Sequence, residues 1–209
     1  MARLITGLDA QRIAANLREV QEEVGPDVEV LAATKYVPLD EMPKLVEAGI
    51  TIAGENRAQD LEAKAQATPE LTYDFIGQLQ SRKVKQILPH VRYIHSVASD
   101  SALKELGKHG TPDTKVLVEV NIAGEPEKAG IAPADLGAFL ERCPVTVIGL
   151  MTMPPYAEDP EDSARWFAAL KELADAHGLR ELSMGTTQDY AVAAREGATI
   201  VRIGSRLYT

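Results

Sequence analysis

Val28-Glu29-Val30-Leu31-Ala32-Ala33-Thr34-Lys35 decides the fold. This apolar run is bounded by Gly25-Pro26-Asp27 before it and Pro38 after it, and it reads as a buried strand. Alternation places Glu29, Leu31, Ala33 and Lys35 on one face and Val28, Val30, Ala32 and Thr34 on the other. Lys35 then stands at the strand's C-terminal end, where α/β folds keep their chemistry. A lysine in a partly apolar pocket is a ready nucleophile toward carbonyl carbon. A solvated lysine just past a strand is the plainer reading.

Working outward, residues 8–24 carry Ile13, Leu17, Val20 and Val24 on one stripe, which predicts a helix stopped by Gly25-Pro26. Beyond Lys35, Asp40 reads as the cap of a helix that Gly49 ends. Strands are then expected at 50–54, 71–77, 91–97, 115–122, 145–151, 182–184 and 199–203. Between them the pattern predicts helices at 55–67, 79–88, 100–107, 133–142, 160–177 and 188–195. In the longest, Trp166, Leu170, Leu173 and His177 form the expected buried stripe. Eight strands with helical crossovers imply a parallel sheet, and with a leading helix they imply a single-domain (β/α)8 barrel over residues 1–209. An open doubly wound sheet is the alternative, but no G-x-G-x-x-G turn follows a strand.

Composition narrows the function. The 209 residues are 45% hydrophobic and 25% charged, as in an ordinary globular chain. A net charge of -9 argues against nucleic-acid and anionic-membrane partners. The single cysteine, Cys143, forms no internal disulfide and reads as a buried inert thiol. His90, His95, His109 and His177 lack metal-ligand spacing, so no metal is expected. Neither a signal peptide nor a membrane-spanning run is visible, so the expected location is the cytoplasm.

In a barrel the functional face is the ring of loops after the strands. Lys35 follows the first strand, Gly54-Glu55-Asn56-Arg57 the second, and Gly77-Gln78-Leu79-Gln80 the third. His95 and Ser96 end the fourth, Asn121 the fifth and Met151-Thr152-Met153-Pro154 the sixth. Ser183-Met184-Gly185-Thr186-Thr187 and Arg202-Ile203-Gly204-Ser205 follow the last two, the corner where barrels often bind phosphate. Inward placement of Arg202 avoids burying a guanidinium beneath helices. There it meets either a ligand or a carboxylate such as Glu119. A Schiff-base lysine, a phosphate cradle and an inward arginine together suit pyridoxal 5′-phosphate (PLP).

The chain resembles the pyridoxal phosphate homeostasis protein family, small proteins similar to the barrel domain of alanine racemase. The resemblance is carried by Ala33-Thr34-Lys35, Gly54-Glu55-Asn56, Phe75-Ile76-Gly77-Gln78-Leu79-Gln80 and Ile94-His95-Ser96. Glu119-Val120-Asn121-Ile122, Gly149-Leu150-Met151, Leu182-Ser183-Met184-Gly185 and Val201-Arg202-Ile203-Gly204 complete it. It implies a Schiff base on Lys35 and Arg202 beside the ring nitrogen. The implied cofactor site holds Lys35, Asn56, Ser183, Met184, Gly185, Thr187, Arg202, Gly204 and Ser205. The implied role is to buffer PLP or deliver it to PLP-dependent apoenzymes, without an established catalytic turnover; a non-catalytic monomer is expected, since the second domain that supplies much of the racemase dimer contact has no counterpart in this sequence. Thr186-Thr187 stands where the family usually has Met-Ser, and Asp74 and Arg82 replace a usual histidine and asparagine.

Two enzymatic readings compete. A PLP-dependent racemase needs a second base opposite Lys35, for which Tyr36 and Tyr156 are the loop candidates. A Schiff-base aldolase would use the same lysine and phosphate corner without PLP.

Overall fold

The computed structural model describes residues 4–209; the first three residues of the expected 1–209 domain lie outside it. The elements run α1 (Ala10–Val24), β1 (Glu29–Ala33), α2 (Met42–Glu47), β2 (Ile52–Glu55), α3 (Ala58–Ala67) and β3 (Thr72–Phe75). They continue α4 (Val84–Ile87), β4 (Tyr93–Val97), α5 (Asp100–His109), β5 (Lys115–Glu119), α6 (Leu136–Glu141) and β6 (Thr146–Met151). Last come α7 (Ala164–Ala176), β7 (Glu181–Thr186), α8 (Tyr190–Arg195), β8 (Ile200–Ile203) and α9 (Ser205–Tyr208). The eight strands pair in sequence order, all parallel, and β8 closes onto β1 with Arg202 opposite Leu31. This is the expected (β/α)8 barrel with a leading helix.

The alternation read in the first strand sorts its side chains as expected. Val30 and Ala32 join the large apolar layer between strands and helices. Leu31 is fully buried but lies outside that layer, on the barrel axis. In β8, Val201 and Ile203 likewise face the helices while Ile200 and Arg202 face the axis. The α1 stripe of Ile13, Leu17, Val20 and Val24 is buried, and the Asp9 carboxylate caps the helix by accepting the Gln11 and Arg12 N–H groups.

Several local expectations are corrected. β1 stops at Ala33, and Lys35 lies in the turn beyond it. Asp40 makes no cap; it sits inside a 3-10 turn, Leu39–Glu41, that enters α2. The helix expected at 79–88 is split into a 3-10 turn, α4 and a second 3-10 turn that accommodates Pro89. On α7 the buried stripe is Phe167, Leu170 and Ala174, whereas His177 is exposed and Trp166 half-buried. Phe167, adjacent to the bulkier Trp166, sets the phase of the buried face. β7 is six residues long because Thr186 still pairs with Arg202 past an irregularity in register. The helix expected from residue 188 starts at Tyr190, and a further short helix, α9, follows the last strand. Cys143 is half-buried rather than buried, and desolvation pushes its thiol up.

The ends of the barrel are stitched together. The Asn16 side-chain amide donates to the Leu207 and Thr209 carbonyls at 3.1 and 3.0 Å. The Tyr208 hydroxyl, on α9, donates to the Ala33 carbonyl at 3.2 Å. Among the described residues no helix is long and apolar enough to cross a membrane.

Candidate functional site

A cavity of about 750 Å³ opens at the C-terminal mouth of the barrel, within the size range of small-molecule sites. Lys35, Asn56, Thr187, Arg202, Gly204 and Ser205 line it. Six of the nine residues singled out in the sequence are therefore brought together.

The other three are not at its wall. Met184 is fully buried in the layer that faces the helices. Gly185 turns toward α8: at φ +87° its added Cβ would lie 2.5 Å from the Ala193 Cβ. Packing of the strand end against α8 is what requires glycine there. Ser183 is fully buried on the barrel axis beneath the cavity.

Lys35 is exposed, with its Nζ 5.0 Å from the centre of the Tyr36 ring. No hydrogen bond or ion pair holds the amine among the described residues. The apolar burial expected for it is absent. What is buried is its support. Glu55, at the end of β2, and Lys64, on α3, form an ion pair shielded from solvent. Lys64 Nζ also donates to the Thr34 carbonyl at 2.8 Å, and the Thr34 hydroxyl donates to Glu55 at 2.6 Å. This triad fixes the peptide just before Lys35. Sequence reasoning missed it because a lysine in a polar-looking helix reads as solvated.

Arg202 lies on the cavity floor, buried, and burial pulls its pKa down to about 10, so it remains charged at neutral pH. Of its five N–H groups, Nη1 donates to the carbonyl and hydroxyl of Ser183, each at 2.6 Å. Nη2 donates to the Thr152 carbonyl at 3.0 Å and meets the Met153 sulfur at 2.9 Å. The Nε–H is claimed by no acceptor among the described residues. The ion pair with Glu119, one of the two sequence readings, does not form there. Burial instead raises the Glu119 pKa, opposed by the charge of Arg202.

The corner after β7 and β8 is tightly bonded. Thr187 Oγ1 accepts the Gly204 N–H at 2.9 Å, so that N–H is used internally and the Thr187 hydroxyl proton is left to donate. Asp189 Oδ1 accepts from the Thr186 N–H at 2.7 Å and its hydroxyl at 3.1 Å. On the far side of the mouth, Gly77 presses so close to Asn56 that a Cβ would lie 2.2 Å from the Asn56 carbonyl oxygen. The Asn56 side-chain oxygen is buried without a partner among the described residues. Such an orphan is costly unless a ligand or water meets it. No three His, Cys, Asp or Glu side chains gather as a metal site would require, among the described residues.

The comparisons with known proteins fit this layout. The family model described as alanine racemase, N-terminal domain, matches residues 8–209. A pyridoxal phosphate homeostasis protein of Aquifex aeolicus is 37% identical, with 94% of each chain covered. The protein of that name from Pseudomonas aeruginosa is 36% identical over 94% of this chain and 92% of its own. The solved structure of PipY from Synechococcus elongatus, described with PLP bound, superposes with a TM-score of 0.82 at 32% identity, covering 94% of this chain and all of that one. By fold and by sequence, the chain belongs to the alanine racemase N-terminal domain family and, within it, to the pyridoxal phosphate homeostasis proteins.

Proposed function

We propose that this protein binds pyridoxal 5′-phosphate in the barrel mouth, with Lys35 as the covalent anchor, and buffers the cofactor or delivers it to apoenzymes. The observation that carries this reading is the placement of Lys35 and Arg202 on one cavity, joined by the Thr187–Gly204–Ser205 corner. The PLP described in the PipY structure supports it.

The residues present fit the cofactor. Lys35 with its uncommitted amine, Arg202 with a guanidinium N–H that no acceptor claims, and Asn56 with a buried, unpaired side-chain oxygen all line the cavity. When bound, PLP supplies an aldehyde that condenses with amines and a ring that withdraws electrons. Lys35 would hold it through the ε-amine, and the Thr187 hydroxyl and Ser205 would hold the phosphate. Arg202, charged at neutral pH, donates and does not accept a proton, so a ring nitrogen beside it stays unprotonated. That weakens electron withdrawal and favours holding over turnover. Delivery would go to PLP-dependent apoenzymes. The same reading takes the protein as a single-domain monomer of the cytoplasm, with sedimentation as the check on its oligomeric state.

The deciding experiment is a visible spectrum of protein incubated with PLP, before and after borohydride, followed by peptide mapping. A band that borohydride bleaches, with the reduced cofactor on the Lys35 peptide, is the expected result. Full uptake by Lys35→Ala, or no band at all, would rule the anchor out. A weak racemase is the second reading, and Tyr36 favours it: this tyrosine lines the cavity, whereas Tyr156 is exposed and does not. Interconversion of L- and D-alanine that disappears in Tyr36→Phe would select it.

A further inference from the structure

A column of polar side chains runs down the barrel axis below the cavity, where aliphatic residues usually fill the space. Asp74, His95 and Ser183 are each essentially inaccessible to solvent. Arg92 grips the Asp74 carboxylate from the lower end, with Nε at 3.1 Å and Nη2 at 2.8 Å, and reaches Glu29 at 2.9 Å. The carboxylate also accepts the Tyr93 N–H on Oδ1 at 3.2 Å and meets His95 Nε2 on Oδ2 at 3.1 Å. His95 Nδ1 lies 2.8 Å from Ser183 Oγ, which also receives the Arg202 Nη1–H.

The donors in this column have one consistent arrangement. An ionised Asp74 accepts only, so His95 carries a proton on Nε2. The Ser183 oxygen already accepts from Arg202, so its own proton goes to His95 Nδ1, which must be bare. The imidazole is therefore neutral, in the Nε2–H form. Nδ1 protonation would turn two donors onto the Ser183 oxygen and leave the serine proton without an acceptor. Burial also pushes His95 toward the neutral state, against the pull of Asp74.

We propose that Asp74 and His95 are positioning residues for Arg202: they fix the Ser183 hydroxyl as an acceptor, which joins the Ser183 carbonyl in clamping Nη1 downward and leaves Nε–H for the ligand. Ser183 is then a support for the arginine and not part of the phosphate cradle. The consequence for cofactor affinity rests on the PLP reading of the cavity; the clamp itself does not.

The test begins on ligand-free protein. Nitrogen-15 NMR of the imidazole at neutral pH is expected to show neutral His95 protonated on Nε2, and Arg202 Nη protons that exchange slowly. In Ser183→Ala the Nη1 proton held by the hydroxyl should exchange faster, while those on the Ser183 and Thr152 carbonyls stay protected, and in Asp74→Asn the histidine is expected to shift to the Nδ1–H form. An Nδ1–H or doubly protonated His95 in the parent protein would overturn the proposal, as would unchanged Arg202 protection in Ser183→Ala. With PLP as probe, Ser183→Ala and Asp74→Asn should each weaken binding about ten-fold, the loss of one charge-assisted hydrogen bond, while borohydride still fixes the cofactor on Lys35. Equal affinity in both variants would also overturn it. Should the parent protein bind no PLP, the proposed function fails and the imidazole and guanidinium signals still decide the clamp.

Discussion

Lys64 Nζ donates to the main-chain carbonyl of Thr34 at 2.8 Å, so a buried ammonium on α3 grips the peptide immediately before Lys35. The Glu55 carboxylate neutralises that ammonium and is itself fully shielded. The exposed lysine thus stands on an ionic footing inside the protein.

Breaking that pair should be costly. Lys64→Met leaves Glu55 buried and charged with no counter-charge, held only by the Thr34 hydroxyl and the Asn56 N–H, for which a loss of about 3 kcal/mol is expected. Urea unfolding would measure it. Replacing both partners, Glu55→Gln with Lys64→Met, should recover part of the loss.

The barrel should be acid-sensitive through His95. Burial holds this ring below its ordinary 6.5. As pH falls below that value, the unfolded chain takes up a proton that the folded chain refuses. The stability contributed is complete above pH 6.5 and is lost as pH falls from there toward the lowered folded value. Unfolding free energies of the parent and of His95→Gln, compared at pH values from about 7 to about 5, should show a shallower slope in the variant. Identical slopes would move the acid sensitivity elsewhere.

Gly185 should tolerate no side chain. Its φ of +87° is strained for alanine, and the added Cβ would strike Ala193 and come within 3.0 Å of the Tyr190 Cα. Backbone strain alone predicts a loss of about 1–3 kcal/mol for Gly185→Ala. Thermal unfolding would register it, with the collision adding to the loss.

Thr187 ties the last two loops together. Thr187→Val removes the acceptor of the Gly204 N–H, which should cost about 1 kcal/mol of stability. Under the proposed function it should also weaken PLP more than pyridoxal, because the lost hydroxyl faces the phosphate corner. Equal weakening of both would place the phosphate elsewhere.

The architecture was legible because it is written in local periodicity. Val30 and Ala32 against Leu31, and Val201 and Ile203 against Arg202, announce their faces by alternation alone. The mouth residues Lys35, Asn56, Thr187, Arg202, Gly204 and Ser205 were legible for a related reason: a barrel delivers whatever follows its strands to one rim. Phase within a helix was less readable, as Trp166 and Phe167 show, since adjacent aromatics offer two stripes of similar spacing. Which buried polar groups meet one another was not readable. Asp74 and His95 are 21 residues apart, and His95 and Ser183 are 88 apart. Nothing local marks such partners, because the closed sheet alone decides which strands share the axis. Met184 shows the converse: it sits inside a recognisable loop motif yet turns outward, because neighbours on a strand point to opposite sides.

The bond from Tyr208 to the Ala33 carbonyl spans 175 positions of the chain. During synthesis the Lys35 turn leaves the ribosome early, and both its tyrosine prop and Arg202 follow only after nearly all the intervening strands. Until β8 docks on β1 there is an amine but no enclosure around it. Under the proposed function, capture of a reactive aldehyde would thereby be coupled to completion of the ring, and a stalled or truncated product would be left without a place to keep one.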